Sequence, residues 1–165
     1  MSSTRGVLYV HSAPSALCPH VDWAVGGAFG MPVRLEWTPQ PVERSSYRAE
    51  YVWTGPTGTA AKLATTLKGW QRIRFEVTEE GTLHSESERY SYTPSLGVFH
   101  ANTGRHGDIV VSEDRIRQAM LNARLGESDL VAALDVLLGH AWDSELEPFR
   151  YAGDDAPVRL LHKVV

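Results

Sequence analysis

The stretch VLYVHSAPSALCPHVDWAVGGAF, residues 7–29, decides how the rest of the chain is read. Val7–His11 is a short apolar run of the kind that suits a central strand buried on both faces. Pro14 marks a turn. From Pro19 to Phe29, Val21, Ala24, Val25 and Ala28 recur at helical spacing, and Gly30 and Pro32 stop the pattern. A buried strand followed by an amphipathic helix leaves the fold class to the next segments.

VRLEW (33–37) alternates, with Val33, Leu35 and Trp37 opposite Arg34 and Glu36, and predicts a second strand. TPQPVERSS (38–46) reads as a loop because its two prolines exclude a regular element. YRAEYVW (47–53) alternates again, with Tyr47, Ala49, Tyr51 and Trp53 opposite Arg48 and Glu50. After the turn TGPTG, Thr59 can cap the helix TAAKLATTLKGW, whose Ala60, Leu63, Ala64 and Leu67 form one stripe. RIRFEV (72–77) is a further alternating strand. The resulting order, β-α-β-β-α-β over about 80 residues, is that of a ferredoxin-like unit in an α+β fold. In that arrangement both helices cover one sheet face. Arg34, Glu36, Arg48, Glu50, Arg72, Arg74 and Glu76 would line the other as cross-strand pairs of opposite charge, open to water or to a partner.

The second half extends this unit. EEGT is a hairpin turn, LHSESERYSY (83–92) a returning strand, GVFHA (97–101) a short strand and DIVV (108–111) a last one. Ser112 is placed to cap a helix over 113–124, with acids in its first turn and Arg124 in its last. Gly126 ends it. Leu130, Ala133, Leu134, Leu137 and Leu138 predict a second helix over 128–142, and the apolar tail PVRLLHKVV is expected to dock on the body. The expectation is one domain over 1–165, with a ferredoxin-like unit at 1–82 and a strand extension plus helical pair at 83–165.

Composition narrows the class. The chain has 165 residues, 42% hydrophobic and 22% charged, with a net charge of −4. That balance argues against a nucleic-acid binder, which shows a basic face. A single cysteine cannot form an internal disulfide, and neither a leader pattern nor a membrane-length apolar run is present. A cytoplasmic protein with no membrane partner is expected. Acids concentrate between Glu127 and Asp155, so Asp143, Glu145 and Glu147 mark a candidate docking surface alongside Arg34, Arg48, Arg72 and Arg74.

The residues that could carry chemistry are scattered. Cys18 stands at a helix start, where backbone N–H groups stabilise a thiolate, and Pro19 suits the first helical position. His20 lies on another side of that helix, whereas His11 closes the preceding strand and is a conceivable base for Cys18. A small buried cysteine is the simpler reading. No two of the seven histidines have the spacing of a helical metal pair, so no metal is expected. His100, Asn102, Arg105, His106 and Asp108 cluster in HANTGRHGD, a ligand loop or merely a glycine-turned connection. GPTGTAAK offers Gly58 and Lys62 at a helix start where an anion could sit, but it lacks phosphate-loop spacing. No cofactor fingerprint is present.

VHSAPSALCPHVDWAVGG (10–27), GDIVVSEDRIRQAM (107–120) and AWDSELEPFR (141–150) resemble an actinobacterial group of intracellular proteins of this length, classed as a domain of unknown function. The resemblance spans nearly the whole chain and brings no catalytic residues. It implies a place near fatty-acid synthesis, as a partner or regulator of acyl metabolism. The functional expectation is a non-catalytic binding or regulatory module for a protein partner or a small acidic metabolite. Two alternatives stand beside it: a small enzyme with its site between His11, Cys18 and the 100–108 loop, and a structural homo-oligomer paired through sheet edges.

Overall fold

The computed structural model, which describes residues 2–151, combines helices with antiparallel strands. The first half runs β1 (Ser3–Pro14), a 3-10 turn (Ser15–Leu17), α1 (Cys18–Phe29), β2 (Thr38–Pro39), β3 (Ser46–Pro56), α2 (Thr59–Leu67) and β4 (Arg74–Glu79). The second half runs β5 (Ser87–Thr93), β6 (Gly97–Thr103), β7 (Ile109–Val110), α3 (Glu113–Arg124), α4 (Leu130–Leu137) and α5 (His140–Arg150). The seven strands form one open sheet in the order β2-β3-β1-β4-β5-β6-β7, with every neighbouring pair antiparallel. Among the described residues no helix is long and apolar enough to cross a membrane.

β1 is an interior strand, paired on both edges and buried on both faces as its apolar run predicts. Leu8 and Val10 point into the core beneath α1 and α2, while Tyr9 and His11 are buried on the opposite face. A bulge beyond Val10 shifts its register against both neighbours. The core between sheet and helices joins Val21, Ala24 and Val25 of α1 to Leu63, Ala64 and Leu67 of α2 and to Trp53, Phe75 and Val77 of the strands. Gly6 is where β1 passes closest to its neighbours: a Cβ there would lie 1.8 Å from the Thr78 carbonyl oxygen and 2.5 Å from the Trp53 ring.

Three local expectations are corrected. VRLEW does not form a strand, although Leu35 is buried and Val33 and Trp37 pack on the core. Asp22 of α1 takes its donors instead, accepting hydrogen bonds from Leu35 N at 3.1 Å and Trp37 Nε1 at 3.0 Å. Alternation there records packing rather than ladder pairing, which begins only at Thr38, inside the stretch expected to be loop: the short edge strand β2 pairs Thr38 with Arg48 and Pro39 with Tyr47. Thr59 does not cap α2: its hydroxyl donates to the Pro56 carbonyl at 2.6 Å. The helix over 128–142 is in fact two, because Gly139 takes a left-handed conformation (φ 70°) and ends α4. Its bare Cα is also where Phe99 packs, since a Cβ would lie 2.6 Å from that ring. The tail PVRLLHKVV lies outside the described residues.

The largest correction concerns the charged face of the sheet. It is not wholly open, because α5 packs against β1 and β5 and buries Leu146, Phe149 and Arg150 there. Nor does it carry cross-strand charge pairs: the register sets Arg48 opposite Thr38, Glu50 opposite Tyr9 and Arg74 opposite Ser12. Arg34 and Arg72 lie outside the strands and are exposed.

Candidate functional site

Covering part of a charged sheet face forces a choice on the charges beneath. A buried carboxylate is tolerated only when paired and hydrogen-bonded. Glu76, in the middle of β4 and fully buried, meets that demand from four sides. Its carboxylate accepts from Arg150 Nε at 3.2 Å and again from Arg150 Nη2, from His11 Nε2 at 3.2 Å and from the Ser91 hydroxyl at 3.1 Å. Arg150 Nη2 also donates to Asp143 at 3.0 Å, one helical stretch earlier in α5. Arg89 of β5 is buried in the same electrostatic neighbourhood, where burial lowers its pKa and Glu76 and Asp143 oppose that. Two carboxylates thus face two guanidiniums.

Burial alone would push the Glu76 carboxyl up. The hydrogen bonds and charges of His11 and Arg150 outweigh it and hold the group down to about 2, below its ordinary 4.5. An ionised carboxylate only accepts hydrogen bonds, so the His11–Glu76 contact places a proton on His11 Nε2. His11 is held further by its own backbone: Gln40 Nε2 donates to the His11 carbonyl at 2.7 Å and to the Phe149 carbonyl at 3.3 Å. Tyr9 stacks alongside, with ring centroids 6.0 Å apart and planes 7° apart.

α5 leaves uncovered the part of this face over β1, β3 and β2. There the surface is concave, a groove of about 320 Å³ lined by Tyr9, His11, Glu36, Thr38, Arg48 and Glu50 among others. His11 is therefore the link between the groove and the buried charges. Burial lowers the pKa of Arg48 on the groove floor, with Glu50 opposing the shift. Arg74 lies outside the groove lining and packs against α5. Its guanidinium stands 4.4 Å from the Phe149 ring centroid and donates to Ser12 Oγ at 3.2 Å and Glu43 at 2.8 Å.

Residues 7–163 match the model of a family described as a protein of unknown function, DUF3145. The chain belongs to the DUF3145 family. No curated protein and no solved structure matches it.

In this DUF3145 chain the other candidate residues are dispersed. Cys18 lies in the core on the opposite side of the sheet from His11, and its thiol points to the Pro14 carbonyl at 3.6 Å. Burial, with Asp22 adding to it, pushes that thiol up and away from the thiolate form. His20 is exposed beside Trp70. His100 packs on Tyr90 at 4.6 Å with its Nε2 3.2 Å from Glu88, while Asn102, Arg105 and His106 are exposed on β6 and the β6–β7 turn. Lys62 is exposed on α2.

Gly58 is more telling. The α2 start holds a carboxylate of the chain itself, for Glu79 accepts from Gly58 N at 3.0 Å and Ala60 N at 2.9 Å. An external anion would have to displace it. At the acidic end, Asp143 is bound to Arg150, Glu145 accepts from the Thr93 and Ser95 hydroxyls at 3.1 and 2.7 Å, and Glu147 is half-buried. Among the described residues, no group of three or more His, Cys, Asp or Glu side chains is placed to hold a metal ion.

Arg150 and Glu79 have no place in the sequence reading. For Arg150 a signal existed: Trp142, Leu146, Phe149 and Arg150 recur at helical spacing and mark a buried face. Glu79 carries no such mark, because its role depends on which helix start the β4 end reaches.

Proposed function

We propose that this DUF3145 protein is a non-catalytic binding module whose ligand is a small acidic metabolite seated in the groove over β1, β3 and β2. One observation carries the reading: α5 leaves open a concavity of about 320 Å³ whose floor presents Arg48 beside His11, within the size range of small-molecule sites. Arg48 would take the ligand's carboxylate, since a planar guanidinium matches that group. Glu36 and Glu50 on the same walls would take its hydrogen-bond donors. The scaffold fits a ferredoxin-like reading of the first four strands, supported by their order β2-β3-β1-β4 and by the packing of α1 on α2. An intracellular place in acyl metabolism belongs to the same proposal and rests on the family resemblance alone.

The test is an amide-resolved NMR titration with a panel of small mono- and dicarboxylates. The proposal expects shifts centred on Tyr9, Thr38, Arg48 and Glu50 for at least one compound, and their loss in Arg48→Gln. Shifts that survive that substitution, or none across the panel, would overturn it.

The His11–Glu76 contact favours a second reading, an enzyme using His11 as a base. A carboxylate that fixes the tautomer and orientation of an imidazole is the arrangement general-base sites use. That reading expects turnover of a groove ligand to vanish in His11→Gln while its binding persists.

A further inference from the structure

The helical pair α3–α4 stands apart from the charge-lined groove and has the opposite character. In α3 only Ala119 is buried, by packing that is principally on α4. Ile116 is 37% exposed, Met120 38%, Leu121 46% and Leu125 63%, and Val131 and Val136 of α4 are more exposed still. A helix of this length gains its stability mainly from burying an apolar face, so a face this bare calls for a cover.

The charges of α3 say what would cover it. Glu113, Ile116, Arg117, Met120 and Arg124 follow one another at helical spacing and form a single stripe with an acid at one end and a base at the other. Turned end for end, the stripe is complementary to itself. Glu113 then faces Arg124 of the second helix, and the stem of Arg117 lies over its Met120. Antiparallel alignment also opposes the two helix dipoles. A contact in which residue i meets j and j meets i is the isologous interface of a two-fold dimer.

We infer that α3 is a dimerisation helix whose occupant is a second copy of this chain, packed antiparallel across a two-fold axis at the level of Gln118 and Ala119. Glu113 and Arg117 already form an exposed pair within one helix at 2.5 Å. The interface keeps that pair and adds Arg124 of the other copy to its acidic side.

The experiment is sedimentation equilibrium of the full chain over a concentration series. The proposal expects twice the 18.3 kDa chain mass. Met120→Asp should weaken association by more than about tenfold with helicity by circular dichroism unchanged. Glu113→Arg should weaken it similarly by opposing Arg124, and adding Arg124→Glu in the same chain should restore it. A wild-type chain that stays monomeric overturns the proposal, whether the surface is bare or covered by the chain's own C-terminal residues. So does a dimer indifferent to Met120→Asp, which would place the contact elsewhere, as at the edge strands β2 or β7. A helical double variant that fails to recover would overturn the antiparallel register.

Discussion

Arg150 Nε lies 3.2 Å from Glu76 Oε2, although 74 positions separate the two residues in the chain. Both are fully buried, so neither can trade its partner for water. Replacing Arg150 by Met should therefore destabilise the fold by about 3–5 kcal/mol, because the buried carboxylate loses its guanidinium partner and keeps only His11 and Ser91 as donors. Adding Glu76→Gln removes that charge and should recover part of the loss. Urea denaturation of wild type, both single variants and the double variant measures the coupling. Losses that simply add would contradict the pairing.

The same carboxylate sets an acid limit. The denatured chain takes up a proton at Glu76 near its ordinary 4.5, whereas the folded chain resists until about 2. Between those values the denatured state binds more protons, so falling pH favours unfolding. The stabilisation is complete above the upper value, amounts to at most about 3 kcal/mol, and fades as pH drops through the window. Denaturation midpoints measured from pH 6 downwards should show this slope, and Glu76→Gln should flatten it.

Two left-handed glycines separate backbone strain from crowding. Gly126 has φ 73° and nothing within 4 Å of where a Cβ would stand, while Gly139 has φ 70° and Phe99 at 2.6 Å. Gly126→Ala should cost about 1 kcal/mol from backbone conformation alone. Gly139→Ala should cost roughly 1–3 kcal/mol more, since the Phe99 ring must shift in a packed junction. Equal losses in urea would mean that Phe99 yields freely.

Glu79→Ala should lower stability by about 2 kcal/mol by leaving Gly58 N and Ala60 N without their acceptor. Acetate, a carboxylate of suitable size, should raise the melting temperature of this variant relative to chloride at equal ionic strength. Wild type should not respond, its α2 start being already filled. A response in wild type would show that an external anion displaces Glu79.

What could be read in advance follows the range of the interactions involved. α3 begins and ends where its acids, Arg124 and Gly126 place it, because those signals act within one turn. The interior position of β1 follows from its apolar run. Leu35 shows the opposite case: its inward phase is legible, but its hydrogen bond to Asp22 depends on how α1 docks. Glu76 looks like a surface residue by alternation, and only the arrival of α5 makes it a buried one. The groove shares that origin, being the part of the face α5 does not reach. Dispersal of Cys18 and His11 to opposite faces depends on strand phase across a turn with a bulge, which short-range patterns do not resolve.

α5 gives the molecule an order of assembly. Every strand pairing from β1 to β7 is complete in the chain before Arg150 is reached. A nascent chain therefore carries Glu76 and His11 on a water-facing sheet until the last turn of α5 arrives to cover them. Closure over β1 is a long-range contact, of the kind that comes late and slowly in folding. A chain stopped short of Arg150 would lack the side chain that seals Glu76.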